Sequence, residues 1–362
     1  MANSATQRSQ PTLAITRPLL NWLRSDLGWR KLPLQQRAVL NWQSTWGSIN
    51  AQLTRRLESQ RGPSTPLADP VLVAGLWRSG TTVMHELLTA ATGLPTPRSW
   101  QCMNAAAFTT TPRRANHQVL ARPMDALPIG DESPQEDEFA LLTLGAPSAY
   151  RAFWQPGRLA ELTETLDPDF WLRDSSWLIT LEGFLRDVLS TAATSAGPLI
   201  LKSPNHSFRL RALYRRFPGL RVVWMARPAA QVFMSNRKMW QTMFAIHGLP
   251  DSGVDPLALD QFLAHAMHRA ADVLLWGVKT MPSTQWLTVA HTALQAAPER
   301  VVLDARDQLG LPAAASPAQM QHALSLTRQG RVERHVSNEL PALALEACRR
   351  LDQAQAVALH TD

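Results

Sequence analysis

A chain of 362 residues with 45% hydrophobic content can bury a core as one large domain or two closely packed ones, which excludes a disordered or fibrous chain. The formal charge of +7 is carried mostly by Arg, whose planar fork suits phosphate or sulfate, and there is no dense basic run interleaved with aromatics that would point to nucleic acid. No apolar run reaches the ~18–20 residues of a membrane-spanning helix and the polar MANSATQRSQ start lacks the apolar stretch of a secretory signal, so a cytoplasmic location is expected, with peripheral membrane contact left open.

In chain order, residues 13–60 place Leu19, Leu20, Trp22, Leu23, Val39, Leu40, Trp46, Ile49 and Leu53 at helical spacing, which predicts an N-terminal helical extension over residues 1–60. RGPSTPLADP then reads as a linker. Residues 71–76 are an apolar run of strand length, followed by the loop GLWRSGTT and a helical pattern through Leu87, Leu88 and Ala91. Residues 92–170 are irregular and read as a loop-rich cap or insertion.

The next unit is the clearest. PLILKS (198–203) predicts a buried strand, Leu210, Leu213 and Phe217 mark a helix face, and PGLRVVWMAR (218–227) gives another strand. Strand, helix and strand in that order imply parallel pairing with a right-handed crossover. Residues 284–291 read as a further strand and 298–309 as a helix. The fold class is therefore α/β, a P-loop-like three-layer arrangement with a mostly parallel sheet flanked by helices, spanning residues 70–335, with a C-terminal helix or tail over 336–362. Cys102 and Cys348 are too few for a disulfide framework or a four-ligand metal site, and His265 with His268 at i, i+3 lacks an acidic partner in a metal pattern.

Ligands of such sheets bind beyond the carboxyl ends of the strands. There this chain delivers Arg78, Ser79, Thr81 and Thr82 after the first strand, Lys202, Ser203 and His206 after the second, and Arg227 after the third. Gly75 and Gly80 have the spacing of G-x-x-x-x-G-K-[ST], yet Thr81 stands where the Lys of a triphosphate loop belongs. A loop with backbone amides, one Arg and two Thr hydroxyls suits an anion with less charge to neutralise than a triphosphate with Mg²⁺.

RSGTT after a buried strand, LKSPNHSFRLRALYRRFPGLRVVWMAR, and Arg227 followed eight residues later by Ser235 resemble the sulfotransferases that use 3′-phosphoadenosine-5′-phosphosulfate (PAPS), particularly their bacterial branch with an R-S-G-T-T loop. The resemblance implies that Arg78, Ser79, Gly80, Thr81 and Thr82 hold the 5′-phosphosulfate. It implies that Arg227 and Ser235 hold the 3′-phosphate, and that TRQGRVERH, with Arg328, Gly330 and Arg331, reaches back over the nucleotide. No metal is then required, and the product is the 3′,5′-bisphosphate PAP. Arg78 and Lys202 would stabilise charge on the departing phosphate.

An attacking hydroxyl or amine must lose a proton. Several relatives carry a glutamate where this chain reads PRSWQCMN, and the residue here is Gln101, which cannot accept it. His85, one turn into the loop helix, is the favoured replacement, with Glu132 and Glu136 of DESPQEDEF as the others. Trp77 is placed to stack on adenine or wall the acceptor pocket; His206 is open between a structural and a ligand-facing role. The acceptor is expected to be a small molecule or lipid-like compound, and the sequence leaves its identity and the oligomeric state open. Two alternatives remain: a P-loop nucleotide kinase, against which the missing Lys speaks, and a catalytically silent nucleotide-binding partner, suggested by Gln101 and by RPAA where relatives carry Arg-Asp-Pro.

Overall fold

The computed structural model describes residues 16–25, 27–60, 66–110, 119–122, 127–192, 197–249, 253–313, 317–329 and 340–360. Its centre is a four-stranded parallel sheet made of β1 (Val71–Ala74), β4 (Ile200–Lys202), β5 (Arg221–Ala226) and β6 (Trp286–Ala290), in the order β4-β1-β5-β6. The strands β2 (Leu120–Ala121) and β3 (Pro128–Ile129) form a separate antiparallel pair within the segment read as irregular. The register sets Val73 opposite Lys202 and Ala74 opposite Trp224, so β1 and β4 end within a residue of each other at one rim and β5 runs two residues further.

Strand alternation explains why these short runs are apolar throughout. Leu72, Ala74, Leu201, Val222 and Trp224 point into a large core on one face, while Val71, Val73, Ile200, Val223 and Met225 point into a smaller one on the other. The helices Thr81–Thr92, Pro298–Gln308 and Pro317–Gln329 cover the smaller core. The larger side holds the helices His206–Arg216, Ala229–His247 and Pro256–Thr280, with Trp77, Trp171, Trp177 and Trp240 fully buried among them.

The C-terminal helix Ala342–Leu359 packs along Pro256–Thr280 and contributes to the site as well as to the core. Its Asp352 Oδ1 accepts a hydrogen bond of 2.9 Å from Ala229 N, satisfying a backbone donor at the start of the helix that carries Ser235. The helix Leu34–Gln60 has the opposite polarity from most: Ser44 and Asn50 are buried, whereas Trp42, Trp46, Ile49 and Leu53 are exposed. Among the described residues no helix is long and apolar enough to cross a membrane.

Candidate active site

The chain leaves β1 through a turn that only certain residues can follow. Gly75 and Gly80 have φ of 132° and 101°, and a methyl group would lie 2.9 Å from the Met225 carbonyl oxygen at the first and 2.7 Å from His291 Cδ2 at the second. Arg78 between them also has positive φ, 68°, an uncommon conformation for a side chain of that size. Neighbouring groups hold it there. Ser79 Oγ donates to Leu76 O (2.7 Å), Asn236 Nδ2 donates to Trp77 O (2.8 Å), and the Ser207 hydroxyl both accepts from Gly75 N (2.9 Å) and donates to Gly75 O (3.0 Å). The helix Thr81–Thr92 starts at Gly80 without a side-chain cap, so its first amides and the positive end of its dipole are directed at the rim.

Two elements far apart in sequence close on this turn. Arg78 Nε donates to Ser235 Oγ at 3.1 Å, and Arg227 Nη1 donates to the Arg78 carbonyl at 2.7 Å. The Arg227 side chain is braced by Gln231 Oε1 (3.3 Å), and its proton affinity is lowered by burial and by the Arg78 charge beside it. Two guanidinium groups set against each other in a partly buried rim favour an anion. His291, at the end of β6, borders Gly80, and burial followed by the Arg227 charge lowers its pKa to about 4. Sequence reading missed His291 and Asn236; for His291 the available signal was its place at the end of a strand.

On the other flank of the loop, Thr82 Oγ1 accepts from Arg122 Nη1 (3.2 Å) and from Lys202 Nζ (3.4 Å). Lys202 is buried and paired with Glu136 Oε1 at 2.7 Å; burial lowers its pKa, and Glu136 opposes that shift. Glu136 also accepts from the Tyr150 hydroxyl at 2.7 Å. It opens a ladder of three consecutive acids, in which Asp137 pairs with His206 and Glu138 with Arg209, each pair buried. Arg209 forks onto both Glu138 oxygens, donates to Pro147 O (2.9 Å) and lies 4.1 Å from the centroid of the Trp171 ring. The acids are adjacent in an extended-to-helical turn, and their partners recur at 202, 206 and 209 along β4 and one face of the helix His206–Arg216. His206 is thereby a structural residue, and the segment read as a cap supplies a buried wall of the site.

The structure corrects two expectations. His85 does not face the rim: it is fully buried, its Nε2 is 2.7 Å from Thr96 Oγ1, and burial followed by the Lys202 and Arg98 charges holds its pKa well below the usual value. A histidine without access to solvent or a bound molecule cannot exchange a proton with either. Trp77 is core, with its ring edge-on to Trp240 at 5.3 Å between centroids, because the left-handed turn at Arg78 directs it inward. Gln101 caps a short helix, Ser99–Met103, accepting from Arg98 N (2.8 Å) and donating to Thr191 Oγ1 (2.9 Å). Glu132 lies in the loop beyond β3, where its carbonyl accepts from Arg98 Nη1 at 2.9 Å. Gly330 and Arg331 lie outside the described residues, as does the side chain of Arg328. Glu86 was not singled out from the sequence; burial raises its pKa to about 7 against the opposing charges of Arg98, Lys202 and Arg122.

The profile of the sulfotransferase family matches residues 70–315, more than half of the chain. The omega-hydroxy-beta-dihydromenaquinone-9 sulfotransferases Stf3 of Mycobacterium bovis and Mycobacterium tuberculosis are each 31% identical over 205 residues, 55% of this chain and 52% of theirs. The chain thus spans about half the length of these curated relatives. Among solved structures, sulfotransferase STF9 of Mycobacterium avium superposes with a TM-score of 0.64 at 18% identity over 98% of both chains. Sulfotransferase STF1 of Mycobacterium tuberculosis gives 0.62 at 17% identity over 93% of this chain and 90% of its own, and both share the fold.

Proposed function

Since the chain belongs to the sulfotransferase family, we propose that it transfers a sulfuryl group from PAPS to a hydroxyl or amine of a small or lipid-like acceptor. The observation that carries this reading is the convergence of Arg78 and Arg227, 149 residues apart, on one rim where each meets the other's surroundings and an anion would relieve their mutual repulsion. In this reading the amides of Gly80, Thr81 and Thr82 and the Arg78 guanidinium receive the 5′-phosphosulfate, while Ser79 fixes the turn. Arg227 and Ser235 receive the 3′-phosphate, with Arg328, Gly330 and Arg331 closing over the nucleotide. When bound, the donor supplies an activated sulfur–oxygen bond whose bridging oxygen gains charge as the bond breaks. The Lys202 ammonium stabilises that charge, and Glu136 holds it in place.

A lipid-like acceptor is supported by the activity in the names of the Mycobacterium relatives and by the exposed Trp42, Trp46, Ile49 and Leu53, a surface suited to peripheral contact with a bilayer. The test of the donor is calorimetric titration with PAP, with AMP and ATP–Mg²⁺ as controls. Binding that requires the 3′-phosphate, and that weakens about 10-fold or more in Arg78→Ala and in Arg227→Ala, is the expected outcome. Preference for ATP–Mg²⁺, or an Arg227→Ala variant with wild-type affinity for PAP, refutes it.

A further inference from the structure

The roles above place the 5′-phosphosulfate on the loop without separating its phosphate from its sulfuryl end. Arg78, Arg227 and Ser235 gather on one flank of the loop, where the nucleotide belongs, so the sulfuryl end is directed to the other flank, where Thr82 stands. The Thr82 hydroxyl accepts there from two cations, Lys202 Nζ at 3.4 Å and Arg122 Nη1 at 3.2 Å, the number of bonds its lone pairs allow. Its own O–H meets no acceptor among the described residues and can turn to an oxygen of a bound anion. The two cations arrive from different elements. Lys202 ends β4 and is buried against Glu136, whereas Arg122 follows β2, is half-buried, and donates its backbone N–H to Leu127 O at 2.9 Å across the β2–β3 turn. Burial first, and then the Arg122 charge, act to lower the Lys202 pKa, so the two cations repel each other across one hydroxyl. A cavity of about 560 Å³ opens between the helices Thr81–Thr92 and Pro317–Gln329, lined by Glu86, Arg98 and His322. Thr82, Arg122 and Lys202 do not line it, so the sulfuryl contact belongs to the rim.

We propose that Arg122 binds the outer oxygens of the sulfuryl group and is the residue by which this chain distinguishes PAPS from PAP. The inference rests on the sulfotransferase reading. Net charge gives no such distinction: the phosphosulfate carries one negative charge on its phosphate and one on its sulfate, and the lone 5′-phosphate of PAP carries about 1.5–2 at neutral pH. What differs is where the second charge sits, one bridging oxygen further from the loop amides. A cation delivered by the cap segment, and not by the loop, meets that charge only when the sulfuryl group is present. The planar guanidinium suits two oxygens of a sulfonate end, and Lys202, which shares Thr82 with it, is left for the bridging oxygen. In a loose transition state the electron pair moves to the bridging oxygen, so Arg122 contributes to binding and alignment of the donor while Lys202 contributes to the rate. Once the sulfuryl group has moved to the acceptor oxygen, PAP keeps the loop and 3′ contacts alone, which weakens it relative to the donor.

The experiment titrates the full chain calorimetrically with PAP and with the PAPS analogue in which a methylene group replaces the bridging oxygen, so that no transfer occurs during the measurement. Arg122→Gln keeps a donor for Thr82 and removes the charge. Its expected effect is a loss of about 10-fold or more in affinity for the analogue, with affinity for PAP kept within about twofold. Arg122→Lys, which restores the charge without the fork, recovers part of the loss. Arg78→Ala weakens both ligands, because it acts on the phosphate they share. The readout is the ratio of the two affinities, so a general loosening of the loop, which lowers both, is not mistaken for loss of this contact. Equal weakening of PAP and the analogue in Arg122→Gln overturns the proposal, as does unchanged affinity for both in Arg122→Gln and Arg122→Lys. A wild type that binds PAP but not the analogue overturns the Arg122 assignment and leaves the nucleotide site standing. Failure of the wild type to bind either ligand overturns the donor assignment and this inference with it.

Discussion

Replacing Lys202 by methionine keeps the length of the side chain and removes its charge, which separates what this residue does for the fold from what it does for the reaction. In the wild type its Nζ lies 2.7 Å from Glu136 Oε1, with both side chains buried. At an effective dielectric of 20 the attraction over that distance is about 6 kcal/mol, much of it offset by the cost of taking both ions out of water. Removing the cation alone leaves a buried carboxylate with the Tyr150 hydroxyl as a hydrogen-bond partner, and a loss of about 3–5 kcal/mol is expected. Removing both charges, as in Lys202→Met with Glu136→Leu, replaces the pair by apolar groups and returns most of that stability. Urea unfolding of the two single variants and the double variant measures the cycle, and turnover is read on the same samples. On the role proposed for Lys202, the expected pattern is stability regained and turnover still lost, because the cation assigned to the departing phosphate is absent from both. Restored turnover in the double variant refutes the catalytic role of Lys202, and a single variant that loses less than about 1 kcal/mol refutes the buried pair.

Other consequences are equally direct. Gly80→Ala places a methyl group 2.7 Å from His291 Cδ2 at a φ of 101°, so a loss of about 1–3 kcal/mol is expected in thermal or urea unfolding, with weakened PAP binding. Gln101→Ala removes a helix cap and the bond to Thr191, and should cost about 1 kcal/mol without lowering kcat of the folded protein; a kcat loss would return Gln101 to the chemistry. The folded-state pKa of His291 is depressed to about 4 from 6.5, so the unfolded chain takes up that proton first. Its contribution to stability is therefore whole above pH 6.5 and is lost as pH falls toward 4. The slope of unfolding free energy against pH in that window should be shallower in His291→Asn, and an unchanged slope refutes the assignment.

The sequence carried the sheet because buried parallel strands need uninterrupted apolar runs, and those at 71–76, 198–203, 218–227 and 284–291 contain the observed strands β1, β4, β5 and β6. It carried the loop as well, since a turn through positive φ at Gly75 and Gly80 leaves its mark in local residue types. These are properties of a few neighbouring residues. The partners that meet across the fold are different: Glu136 with Lys202, Asp137 with His206 and Glu138 with Arg209 pair residues about seventy positions apart. A charge run of that kind reads as a solvated loop until packing buries it. For the same reason His85, one turn from the loop, could be read as a base when burial and Thr96 make it part of the core. Glu86, its neighbour in sequence, lies on the cavity side of the same helix. One step along a helix rotates a side chain by about 100°, and only the layers packed on either side determine which of two adjacent residues meets the core and which meets the pocket.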